Sequence, residues 1–92
     1  MLTAIVMIEA DVARIPEVAQ QVADLDGIAE VYSVTGDFDM IAIARVDQHE
    51  DLAVVVSDRL GKVEGVTGTT TYLAFQAFSR QDLEQAFHIG LD

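Results

Sequence analysis

The residues best equipped for chemistry form a short acidic insert, Gly36-Asp37-Phe38-Asp39, set between apolar runs. Asp37 and Asp39 alternate, so on an extended backbone their carboxylates project to the same side. Such a pair could receive a cationic group, for example an α-ammonium, through charge-assisted hydrogen bonds. The same residues also serve as turn chemistry, with Gly36 supplying positive φ and Asp39 accepting backbone N–H groups. Both readings stand on spacing alone. General acid–base catalysis is a third use of paired carboxylates, but no nucleophile, histidine or metal ligand stands beside these two.

A second candidate is the triplet Thr69-Thr70-Thr71. Thr69 and Thr71 share one face of a strand, where their hydroxyls could hold a carboxylate that backbone N–H groups also bind. Strand propensity accounts for the same triplet without any ligand. His49 and His88 are far apart, and neither has a second ligand at metal spacing, so neither a metal nor a cofactor is expected. Cysteine is absent, which removes thiolate sites and disulfides. No glycine-rich phosphate loop occurs.

The elements that must position these groups read clearly. Leu2–Ile8 is a continuous aliphatic run, consistent with a strand buried on both faces. Ile15, Val18, Val22 and Leu25 recur at helical spacing, with Pro16 in the first turn and Gly27 at the C-terminal cap. Ile28–Val34 and Phe38–Val46 are predicted strands joined by a two-residue turn at Gly36-Asp37. Asp47 and Glu50 resemble a capping box before a second helix carrying Leu52, Val55, Val56 and Leu60 and ended by Gly61. Val66–Phe78 is predicted as the final strand, and Ser79 and Asp82 open a short C-terminal helix over about 80–88.

The order is βαββαβ plus a tail helix, one domain over residues 1–92 with its core in 2–78. "LDGI" (Leu25–Ile28) and "VEGV" (Val63–Val66) form a weak internal repeat, each closing a helix and opening a strand. Two right-handed βαβ halves give an α+β, ferredoxin-like sandwich with both helices on one sheet face. Alternate positions on the strands are apolar on both faces, so the uncovered face is expected to pair with a second copy. About 800 Å² per subunit, at about 25 cal/mol per Å², supplies ample drive for that pairing.

Totals narrow the function classes. The net charge is −11, with 16 acidic against 5 scattered basic residues, which argues against direct nucleic-acid binding. The apolar run after Met1 is too short to span a bilayer and lacks a basic leader, so no membrane partner is expected and a cytoplasmic location is the default.

Taken together, "GIAEVYSVTGDFDMIAIARV" and the later "VEGVTGTTTYLAF" resemble the ligand-sensing domain of the Lrp/AsnC regulators. The resemblance runs from Leu2 to about Phe78. It implies a stand-alone form of that domain, without the helix-turn-helix of the DNA-binding members. It further implies dimers formed through the sheets, assembled into octamers or decamers; such a module could also join full-length regulators of the family through the shared sheet interface. An amino acid or related small effector would sit between subunits, near Gly36, Asp37 and Asp39, with Thr69 and Thr71 as less sharply placed neighbours. On this reading the protein is not an enzyme. The alternative is a small monooxygenase- or isomerase-like enzyme of the dimeric α+β barrel class, which requires an enclosed cavity with inward polar groups.

Overall fold

A computed structural model describes residues 1–80 of the chain; the tail helix expected over about 80–88, with His88, lies outside them. Strand β1 (Leu2–Ala10) is followed by a 3-10 turn at Val12–Arg14 and helix α1 (Ile15–Ala23). Strands β2 (Ile28–Ser33) and β3 (Met40–Val46) come next. Helix α2 (His49–Ala53) continues into a π-helical stretch at Val54–Arg59 and a 3-10 turn at Leu60–Lys62, and β4 (Val66–Ala74) closes the sheet.

The four strands lie in the order β2-β3-β1-β4, and every neighbouring pair is antiparallel. With a helix after β1 and another after β3, this is the ferredoxin-like α+β arrangement. Side-chain alternation then sorts the two faces. Ala4, Val6 and Ile8 of β1 and Met40, Ala42 and Ala44 of β3 are wholly buried, packed beneath Val18, Val22, Val55 and Leu60 of the helical layer. The intervening residues occupy the other face. There Ile5 stands opposite Ile43 and Tyr72, and Met7 opposite Ile41 and Thr70. No described element covers these side chains.

The internal repeat has a structural meaning. Gly27 and Gly65 both take positive φ, at 96° and 101°, where the chain leaves the helical layer for the sheet. A Cβ on Gly27 would sit 2.5 Å from Val55 Cγ2, and one on Gly65 would sit 2.7 Å from Val18 Cγ2. Each glycine therefore serves both backbone conformation and close packing. Gly61, expected to end the second helix, lies inside the 3-10 turn instead.

Three sequence-based boundaries move. The second helix caps one residue later than expected: the Gln48 N–H donates to the Asp51 carboxylate at 3.1 Å, so Gln48 and Asp51 take the roles assigned to Asp47 and Glu50. Strand β4 stops at Ala74, not Phe78: Ala74 pairs with Thr3, and the next residue of β1, Leu2, pairs only with Val46 of β3. The β2–β3 connection is also longer than a two-residue turn. Val34 to Asp39 lie between the strands, closed by the Val34 N–H donating to the Asp39 carbonyl at 3.1 Å. Asp39 turns towards β1, and this draws the chain out of the hairpin ladder before Phe38 can pair.

Candidate functional site

Asp39 ties the hairpin to the sheet. Its N–H donates to the Ile8 carbonyl at 2.9 Å, and its Oδ2 accepts from the Ala10 N–H at 2.8 Å. Ala10 needs that acceptor. The register between β1 and β4 shifts between Glu9 and Ala10, so the ladder is interrupted there. The turn chemistry read from the sequence is thus present in Asp39, through contacts to another strand. Gly36 has φ 118° and open space around it, so its role is conformational.

Beside this tether lies an open cleft of about 560 Å³, lined by Met7, Ser33, Val34, Thr35, Asp37, Phe38 and Ile41. Met7, Phe38 and Ile41 make its apolar wall, and Asp37 contributes an exposed carboxylate. Met7 and Ile41 belong to the sheet face that no described element covers, so the cleft opens at one end of that face. An anionic rim beside an apolar wall suits a small molecule with a cationic head and an apolar body.

The structure gathers Gly36, Asp37 and Asp39 in one hairpin but separates Thr69 and Thr71 from the cleft by face. Thr69 pairs with Ile8 and Thr71 with Val6, whose side chains enter the helix-covered core. Directly opposed residues share a face, so both threonines stand on the helical side of edge strand β4. Thr70, opposite Met7, is the threonine on the cleft's face. Its parity relative to Met7 becomes readable only once the strand register is known. Met7, Phe38 and Ile41 were not singled out from sequence because apolar residues in strands carry no chemical signature.

A polar ladder runs along the uncovered face near β2. The Tyr32 hydroxyl donates to Glu30, and Arg45 lies 3.4 Å from the other Glu30 oxygen. The Tyr32 hydrogen bond, aided by Arg45, holds the Glu30 carboxyl below its ordinary range. The Glu30 carboxylate in turn raises the Tyr32 hydroxyl above its ordinary value.

A second cleft, about 240 Å³, lies on the helical side between Gly27, Val46, Asp47, Asp51, Val54, Val55 and Arg59. Among the described residues no polar or charged side chain is buried, and no group of histidines, cysteines or acids is arranged to hold a metal. His49 is exposed in the first turn of α2. No helix among the described residues is long and apolar enough to cross a membrane.

Comparison with known proteins places this geometry. A family model described as the Lrp/AsnC ligand binding domain matches residues 3–83. The HTH-type transcriptional regulator FL11 of Pyrococcus furiosus is 33% identical over 75 residues, which span 82% of this chain and 49% of that protein. The chain thus spans about half the length, or less, of the curated relatives it matches. Among solved structures, TTHA0845 from Thermus thermophilus is 41% identical with a TM-score of 0.82, over 87% of this chain and 100% of that one. The transcriptional regulator NMB0573 of Neisseria meningitidis, solved as an L-Met complex, shares the fold at a TM-score of 0.76. Its identity is 18%, over 86% of this chain and 53% of that one.

Proposed function

Because the chain belongs to the Lrp/AsnC ligand binding domain family, we propose that it is a regulatory effector-binding module with no catalytic activity of its own. The observation that carries the reading is the cleft beside the hairpin, which sets the Asp37 carboxylate against the apolar surface of Met7, Phe38 and Ile41. An amino acid with an apolar side chain matches it. The α-ammonium meets Asp37, the side chain lies on the apolar wall, and loop backbone N–H groups near Gly36 take the carboxylate. Asp39 holds the loop in shape through Ala10. The methionine complex of the Neisseria regulator, a protein of the same fold, supports this class of effector.

The second part of the proposal is assembly. Two copies pair through the faces bearing Ile5, Met7, Ile41 and Ile43, and such dimers associate further into octamers or decamers. Burial of this apolar face supplies the drive. Effector binding at the edge of the paired faces then modulates transcription indirectly, through assembly with regulators that carry a DNA reader. Calorimetric titration with a panel of amino acids, run beside light scattering, tests both parts. Heat of binding from an apolar amino acid and a mass of at least a dimer are expected; silence across the panel or a monomer contradicts the corresponding part.

A further inference from the structure

The cleft on the helical side, between the start of β2, the end of β3 and α2, shares no residue with the hairpin cleft. It is small, about 240 Å³, and charges of both signs line it: Asp47 and Asp51 on one part, Arg59 on another. Neither aspartate is ion-paired with Arg59. The Asp47 carboxylate has no partner among the described residues, and Asp51 commits one oxygen, Oδ2, to the Gln48 N–H at 3.1 Å. Arg59 is steered by a single bond, its Nη1 donating to the Asp26 carbonyl at 2.9 Å. The edge formed by Nε and Nη2 is left over, and such an edge grips a carboxylate through two parallel hydrogen bonds.

The backbone gathers these groups. In an α-helix, residues five apart lie about 140° from one another around the axis. The Val54–Arg59 stretch is π-helical instead, with the Leu60 N–H reaching back five residues to the Val55 carbonyl. That register sets Val54 and Arg59 above one another on the face that lines the cleft. Segments of this kind are rare and recur at functional sites. Along the helix Asp51 comes first, Val54 and Val55 next, and Arg59 last, at most about 12 Å further in rise. Apolar surface therefore lies between two oppositely charged ends, and Val54 stays 38% exposed there.

We propose that this cleft is a second ligand site, separate from the hairpin, for a short ω-amino acid. The ammonium end sits with the Asp47 and Asp51 carboxylates, the hydrocarbon lies on Val54 and Val55, and the carboxylate takes the free edge of Arg59. Molecules with one charge fit less well. The two aspartates, in a chain of net charge −11, repel a lone anion, and Arg59 repels a lone cation. An α-amino acid holds both charges on one carbon and leaves one end of the cleft unmet.

Methyl-resolved NMR titration of the full chain with γ-aminobutyrate and 5-aminovalerate tests the site. Saturable shifts of the Val54 and Val55 methyls are expected, with glycine, butyrate and butylamine at least about tenfold weaker. Arg59→Gln and Asp47→Asn are each expected to weaken the binding about tenfold or more, with circular dichroism unchanged. Asp47 has no partner to lose, so its variant tests the site even where Arg59→Gln disturbs the fold. Binding that persists in Asp37→Ala separates this site from the hairpin. Unmoved Val54 and Val55 methyls overturn the proposal, as does equal affinity in Asp47→Asn or equal binding of butylamine. Shifts confined to Met7 and Ile41 overturn it and assign the ligand to the hairpin cleft.

Discussion

Asp39 and Ala10 stand 29 positions apart in sequence, yet the Asp39 carboxylate accepts the Ala10 N–H at 2.8 Å. With the Asp39 N–H donating to the Ile8 carbonyl, this bond fixes the β2–β3 hairpin against the end of β1, at the place where the β1–β4 register slips. Removing a carboxylate that satisfies a partly buried N–H leaves that donor unpaired. Asp39→Ala is therefore expected to lower stability by about 1–3 kcal/mol, and Asp39→Asn, which keeps an acceptor oxygen, by less. Urea denaturation of the two variants side by side checks the order.

Gly27 and Gly36 separate conformational strain from crowding. Both take positive φ, so alanine at either position meets a left-handed backbone cost of about 1–2 kcal/mol. At Gly27 the new methyl also runs into Val55 at 2.5 Å, whereas at Gly36 nothing lies within 4 Å. Gly27→Ala is expected to lower the melting temperature well beyond Gly36→Ala. Equal losses would show that Val55 yields without cost.

Adjacent residues of β3 test the assignment of faces. Ala44 is wholly buried under the helical layer, and Ile43 points to the uncovered side. A charge placed at Ala44 has no partner and is expected to unfold the domain, while a charge at Ile43 meets only the uncovered face, proposed above to pair with a second copy. Ile43→Asp is expected to keep the wild-type circular dichroism spectrum and to shift the light-scattering mass to a monomer. Ala44→Asp is expected to lose the folded spectrum.

The Tyr32–Glu30–Arg45 ladder gives a signed pH dependence. Glu30 is lowered in the folded state, so its contribution is present above the ordinary glutamate range and is lost as pH falls through the folded value. Tyr32 is raised, so its contribution is present below its ordinary value near 10 and is lost as pH rises through the folded one. Both groups are solvent-exposed, so the effect on stability is small. The sharper readout is NMR titration of the Glu30 carboxyl, which is expected to move upward in Tyr32→Phe. No movement would assign the lowering to Arg45 alone.

Much of this was legible in the residues themselves. Aliphatic runs and helical spacing located the strands and helices, and the LDGI and VEGV repeat located two positive-φ glycines. The helix cap at Gln48 and Asp51 is a local shift of one residue, but the other misses depend on partners remote in sequence. β4 ends at Ala74, opposite Thr3 near the start of β1, which no local pattern in Thr67–Phe78 records. The hairpin lengthens because Asp39 is drawn to Ile8 and Ala10. Thr69 and Thr71 were correctly read as sharing a face, but only the pairing with Val6 and Ile8 reveals that it is the helical one. Asp37 and Asp39, equal by spacing, have different tasks in the fold: one lines the cleft and the other holds the loop.

That division of labour gives the most direct test of an amino-acid effector held at the hairpin. Wild type and Asp37→Ala are titrated calorimetrically with the same panel of amino acids, with light scattering confirming equal mass. Asp37 is exposed, so its removal is expected to leave fold and assembly intact. Loss of one charge-assisted bond is expected to weaken binding of an apolar amino acid about tenfold or more. Unchanged affinity in Asp37→Ala, or no binding to wild type by any member of the panel, would contradict the account.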